Sequence, residues 1–128
     1  MVGCVLRATG EALKPDIVLA EIALTPNSVF HKGDAKSRNR VWETSGLTFI
    51  VSDALGNDLK QQIRDAVAFL RKYNHDVAKL GKAAGLDDLR LEFNVDKKKG
   101  FLQDTFFPSN LVKAAGGLNI GLELLIYG

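Results

Sequence analysis

The residue types best suited to chemistry are two histidines, one cysteine and a short basic run. The run "FHKGDAKSRNRVW", residues 30–42, opens on Phe30 and closes on Trp42, the only tryptophan. Between them His31 stands with four cations, Lys32, Lys36, Arg38 and Arg40, and one acid, Asp34, a local excess of +3. Ammonium and guanidinium groups at that density attract an acidic protein, a phosphate or a nucleic acid. Phe30 and Trp42 offer faces on which a base or a side chain can stack. The same composition also describes a solvated connection whose aromatic ends pin it to a core. His31, crowded by cations, is expected to stay neutral near pH 7. A neutral imidazole accepts a proton, but no hydroxyl or thiol nucleophile in a recognisable motif accompanies it.

The other reactive types carry less. His75, between Asn74 and Asp76, falls off the apolar stripe of its helix and reads as a solvated side chain. Cys4 sits on the apolar side of a strand, where a thiol without a cationic neighbour is inert. A lone cysteine makes neither an internal disulfide nor a cysteine-rich zinc site. There is no His-x-x-x-His pair and no calcium-loop pattern, and "DALGND", residues 53–58, reads as a helix-capping turn. "GLNIGLE" is not a dinucleotide fingerprint. No metal, cofactor or assembled catalytic set is expected. A second basic cluster, "DKKKG" at 96–100, would join the first in one positive surface if both loops lay at one end of the molecule.

The elements that must position these residues are legible from periodicity. Cys4, Leu6 and Ala8 alternate with Val5, Arg7 and Thr9, a strand with one buried face. "LKPDIVLAEIALTP" reads as a helix started by Pro15 and stopped by Pro26. "RVWETSGLTFIVS" is rich in β-branched and aromatic residues. A turn at Ser45-Gly46 would make it a hairpin of residues 40–44 and 47–52. Leu59, Ile63, Ala66, Val67, Leu70 and Val77 form a helical stripe, and Asp58 with Gln61 is a capping box. "DLRLEFNVD" alternates strictly, with Leu89, Leu91, Phe93 and Val95 facing inward. "PSNLVKAAGG" is a short helix. "LNIGLELLIY" is a last strand that turns Ile120, Leu122, Leu124 and Ile126 to the core.

The order β-α-β(β)-α-β-α-β predicts an α+β fold. A single-layer, twisted, largely antiparallel sheet of four to five strands carries helices packed on one face. The 128 residues suit a single domain, 1–128. A net charge of +2 is too small for a dedicated nucleic-acid binder. No apolar run approaches membrane-spanning length. No signal-peptide pattern precedes Cys4, and Val2 stands where myristoylation needs glycine. A cytoplasmic protein without membrane contact is expected. Leu125 and Tyr127 make the outer face of the last strand less polar than Arg90, Glu92 and Asn94 make theirs, so a homodimer through the open sheet face is a further expectation.

The pattern resembles a bacterial family of small proteins, domain-of-unknown-function family 4279. "VLRATGEALKPDIVLAEIALTPNSVFHKGDAKSRNRVWE" carries the closest similarity: an opening strand, a helix with an early proline, Pro26 after it, the triplet Lys32-Gly33-Asp34 and a strand bearing Trp42. The closing Ile126-Tyr127 also matches. The resemblance implies no reaction, cofactor or catalytic residue. It favours a turn at Gly33, which can adopt positive φ, and at Asp34, which can bond nearby backbone. The expected function is a small non-enzymatic module that binds another protein, by analogy an immunity protein. Two alternatives stand beside it. One is a small-ligand protein or enzyme with a pocket near His31, Asp34 and Trp42. The other is a weak nucleic-acid binder acting through its basic loops.

Overall fold

The computed structural model describes residues 3–128; the reading at Val2 lies outside the described residues. The alternation of the first strand, β1 (Cys4–Gly10), is realised in full: Cys4, Leu6 and Ala8 are buried while Val5, Arg7 and Thr9 are half-buried. The chain continues through α1 (Pro15–Glu21), β2 (Ser28–Phe30), β3 (Ala35–Ser37), β4 (Arg40–Val41) and β5 (Ser45–Ser52). Then come α2 (Leu59–Lys72), α3 (Asn74–Gly81), β6 (Asp88–Asp96), α4 (Ser109–Gly117) and β7 (Gly121–Tyr127). Five strands form one sheet in the order β2-β5-β1-β6-β7, and β3 and β4 form a separate two-stranded hairpin. All pairings are antiparallel except β6 with β7, which the α4 crossover makes parallel. The fold is α+β with a largely antiparallel main sheet, as its sequence predicts.

One face of the sheet holds the core. Leu6, Leu47, Phe49, Leu89, Leu91 and Phe93 meet Val18 of α1, Ile63, Ala66, Val67 and Leu70 of α2, Val77 and Leu80 of α3, and Leu111 and Ala115 of α4. Each fully buried Leu or Phe contributes about 1.5–3 kcal/mol relative to exposure. The other face carries paired charges. Arg7 Nε donates to Glu92 Oε1 at 2.9 Å, and Arg90 bridges Asp88 at 2.6 Å and Glu123 at 3.2 Å.

Several boundaries differ from expectation. The hairpin is not folded about Ser45-Gly46. Its turn falls at Arg38-Asn39, where Asn39 takes φ 61°, and Ser45 and Gly46 are the first residues of β5. Helix α1 ends at Glu21, well before Pro26. Ile22 is extended (φ −125°, ψ 156°), and the following stretch alternates, with Ile22 and Leu24 packed on the core and Ala23 exposed. Burying these two side chains outweighs continuing a short helix. The long helix breaks at Tyr73, giving α2 and α3. Its capping box is half made: Asp58 accepts the Gln61 N–H at 3.2 Å, but the Gln61 amide turns to Asp65 at 2.7 Å. Ile126 is 52% exposed rather than in the core: β7 is an edge strand, and of its inward residues Leu122 and Leu124 pack on the core while Ile126, near the strand's end, does not. Asn94 lies on the outward side as expected yet is buried. Its Nδ2 donates to Gly3 O at 3.1 Å and its Oδ1 accepts the Tyr127 hydroxyl at 2.9 Å.

A basic hairpin on an aromatic anchor as the candidate site

The site begins with a glycine inside a strand. Phe30, the last residue of β2, is the register partner of Gly46 in β5. Gly46 has no side chain, so the Phe30 ring lies directly on its backbone. A Cβ there would enter that ring and stand 2.8 Å from Ala8 O. Phe30 is buried as a result, on the side of the sheet away from the helices. Trp42 then stacks on Phe30 with ring centroids 3.9 Å apart and planes 18° from parallel. Both aromatic ends of the basic run are therefore structural anchors.

Between the anchors the chain makes two turns. The first is His31-Lys32-Gly33-Asp34, closed by the Asp34 N–H donating to His31 O at 3.0 Å, with Gly33 at φ 93°. Only glycine adopts that conformation without strain. The first turn is tied back to its surroundings. Gly33 N–H donates to Trp42 O at 2.8 Å, Trp42 N–H to Asp34 O at 2.9 Å and Lys32 N–H to Ser45 Oγ at 2.9 Å. Among the described residues the Asp34 carboxylate bonds no backbone; its Oδ2 lies 3.4 Å from His31 Nδ1. The second turn is the tip of the β3–β4 hairpin, with Arg38 and Asn39 at its apex.

The predicted site residues separate into two groups. His31 and Lys32 face the β1–α1 connection. His31 Nε2 is 3.3 Å from Asp16 Oδ2, and Lys32 Nζ is 2.7 Å from Glu11 Oε1. The charged neighbours of His31 are thus two carboxylates, not the cations expected around it. Glu11 and Asp16 come from far upstream, and no local spacing signals that they meet this loop. Lys36, Arg38 and Arg40 form the second group and project from the hairpin, all exposed. Lys36 Nζ sits 4.8 Å from the centre of the Trp42 ring, a cation–π contact. Among the described residues, no carboxylate lies within ion-pair distance of Arg38 or Arg40.

Trp42 lines two shallow concavities. One, about 520 Å³, is bounded by Glu11, Lys32, Gly33 and Glu43. The other, about 530 Å³, is bounded by Lys36, Asn39, Arg40 and Glu43. His31 and Asp34 line neither. The second basic cluster does not join the first. Residues 30–42 adjoin the Asp88 end of β6, whereas "DKKKG" leaves its Asp96 end. Eight residues of strand separate those ends, roughly 26 Å at about 3.3 Å per residue. That exceeds the Debye length of about 8 Å at physiological salt, so the two clusters act as separate fields.

Elsewhere the reactive groups are quiet. His75 is exposed on α3. Cys4 is fully buried, and burial pushes its thiol far up, with Glu92 and Asp65 adding to the shift. Among the described residues no three His, Cys, Asp or Glu side chains gather as metal ligands, and no helix is long and apolar enough to cross a membrane.

Fold and site together define a small α+β domain that presents a basic hairpin on an aromatic anchor. The chain belongs to the family described as a domain of unknown function (DUF4279), whose model matches residues 1–128, the whole length. No curated protein and no solved structure matches it.

Proposed function

We propose that the chain is a non-enzymatic binding module whose partner is an acidic protein surface, met by the β3–β4 hairpin. The observation that supports this reading is the clustering of three exposed cations, Lys36, Arg38 and Arg40, on one short hairpin without an acid among the described residues to pair them. Lys32, Arg7 and Arg90 are each matched by a carboxylate of the chain itself, whereas Arg38 and Arg40 have none within reach among the described residues. Guanidinium groups take bidentate carboxylate partners well, and an unmatched pair on a short hairpin offers that geometry to another molecule. The anchor below keeps the ordering cost of binding small: Phe30 and Trp42 are stacked before any partner arrives. The shallow concavities beside Trp42 favour a protein contact over a small ligand, which needs most of its surface enclosed.

The test is affinity capture of the tagged chain from its native source, with captured protein and nucleic acid both identified. A stoichiometric acidic protein that is lost on Lys36, Arg38 and Arg40→Ala, and whose affinity falls with salt, supports the reading. Nucleic acid captured with a steep salt dependence would replace it, and capture indifferent to the triple substitution would remove the hairpin from the contact.

A further inference from the structure

The two edges of the main sheet are built differently. At one edge β2 has only three residues, follows Pro26 closely and is flanked by the hairpin. At the other edge β7 has seven residues, Gly121–Tyr127, with a row of backbone groups facing away from β6. Natural edge strands are usually blunted by lysine, proline, a bulge or extreme shortness. β7 has none of these: it contains no lysine and no proline, and its register with β6 runs unbroken from Gly121 to Tyr127. Its single charge, Glu123, is held by Arg90 at 3.2 Å.

We propose that β7 pairs antiparallel with β7 of a second copy, joining two sheets into one of ten strands. The sequence of the strand selects this occupant. A pairing centred on Leu124 sets Leu124 against itself, Leu122 against Ile126, Glu123 against Leu125 and Gly121 against Tyr127. On the helix side every pair is then apolar, and Ile126, left 52% exposed in the single chain, gains a partner. On the other side no like charges stand directly opposite, and Gly121 leaves open backbone across from Tyr127, whose hydroxyl stays on Asn94 of its own chain. Shifting the centre by half a residue would set helix-side residues against open-face residues and lose this match. The open sheet face is a poorer surface for self-association, because its charges are already paired within the chain. The pairing leaves the β3–β4 hairpin at the far edge, so it is independent of the binding reading above.

The test uses the full chain. Sedimentation should show a dimer that dissociates on dilution, and Ile126→Lys, which places a charge on an exposed edge position, should weaken it by roughly tenfold or more. Leu124→Cys sets a thiol on the two-fold axis. Directly opposed antiparallel residues have Cα atoms about 4.5–5.5 Å apart, inside the window for a disulfide. That variant should form a covalent dimer under mild oxidation, while Val29→Cys on the opposite edge should not; buried Cys4 contributes no background. A wild-type chain that sediments as a monomer at all concentrations would overturn the proposal. So would a dimer indifferent to Ile126→Lys, or a folded Leu124→Cys chain that does not crosslink.

Discussion

Phe30 lies between two residues that need it for opposite reasons: it roofs the bare backbone of Gly46 and supplies the face on which Trp42 stacks at 3.9 Å. The basic hairpin is therefore held to the main sheet by this aromatic ring together with the Lys32 N–H bond to Ser45 Oγ. Phe30→Ala should cost about 3–5 kcal/mol, as loss of a buried ring does, and Gly46→Ala about 1–3 kcal/mol, because the added methyl collides with that ring. The two costs should be less than additive, since removing the ring removes the collision. Urea unfolding of the singles and the double gives the coupling, and strict additivity would mean the ring does not rest on Gly46. Trp42 provides a second readout: its emission should shift to longer wavelength in Phe30→Ala as its stacking partner disappears.

The hairpin cations should be neutral for folding. Lys36, Arg38 and Arg40 are exposed, and among the described residues they make no ion pair. The triple alanine variant should keep wild-type stability within about 0.5 kcal/mol per site, with Lys36 losing only its cation–π contact with Trp42. Lys32→Ala should also cost little, because its pair with Glu11 is exposed on both sides and such pairs contribute about 0–1 kcal/mol. Thermal unfolding measures both. A large loss in the triple variant would make the hairpin charges structural and weaken their reading as a contact surface.

Much of this fold was legible because periodicity reports burial. The alternation of "DLRLEFNVD" placed Leu89, Leu91, Phe93 and Val95 inside, and the stripe from Leu59 to Val77 placed the helix layer. What failed to show were features decided by tertiary contact. Ser45-Gly46 has the composition of a turn, yet Gly46 is a strand residue kept bare for the Phe30 ring. The turn fell instead at Asn39, whose side chain tolerates positive φ. Gln62 is not part of the apolar stripe, yet it is fully buried. Lys32 and His31 looked available and are matched by Glu11 and Asp16, which no short-range pattern brings near. The two basic clusters could form one surface only at one end of the molecule, a condition the sequence left open and strand order does not meet, since they lie at opposite ends of β6.

Cys4 should leave a signature at alkaline pH. Burial, with Glu92 and Asp65, holds its thiol well above the ordinary value of 9.0. Above that pH the unfolded chain loses the proton while the folded chain keeps it, so the unfolded state binds fewer protons. Stability from this group is therefore constant below about pH 9 and falls as pH rises above it, by about 1.4 kcal/mol per unit. Cys4→Ala should be less stable at pH 7 because of the cavity, yet lose stability more slowly between pH 9 and the alkaline limit. Parallel profiles for the two chains would show that the thiol titrates alike in both states.

Gln62 is the buried polar group on which the α2–β6 packing turns. It is 0% exposed, and its Nε2 donates to Asn94 O at 2.8 Å and to Leu55 O at 3.2 Å, while its Oε1 has no partner among the described residues. Gln62→Leu removes the unpaired oxygen but takes away the amide that satisfies Asn94 O, while Leu55 O keeps the Asp58 N–H at 2.9 Å. Losing both amide bonds, one of them the buried donor to Asn94 O, outweighs relieving one acceptor, so the variant should be destabilised by about 1–3 kcal/mol. Gln62→Glu should behave differently. A buried carboxyl facing two carbonyls is held protonated, above its ordinary range, whereas the unfolded chain ionises it near pH 4.3. Its stability should therefore fall from pH 5 to pH 7.5 more steeply than that of the wild type or of Gln62→Leu, which carry no such group. Urea unfolding at the two pH values separates these outcomes. A Gln62→Leu chain as stable as the wild type would show that Asn94 O does not depend on this amide. A Gln62→Glu profile parallel to the wild type would place the side chain in water.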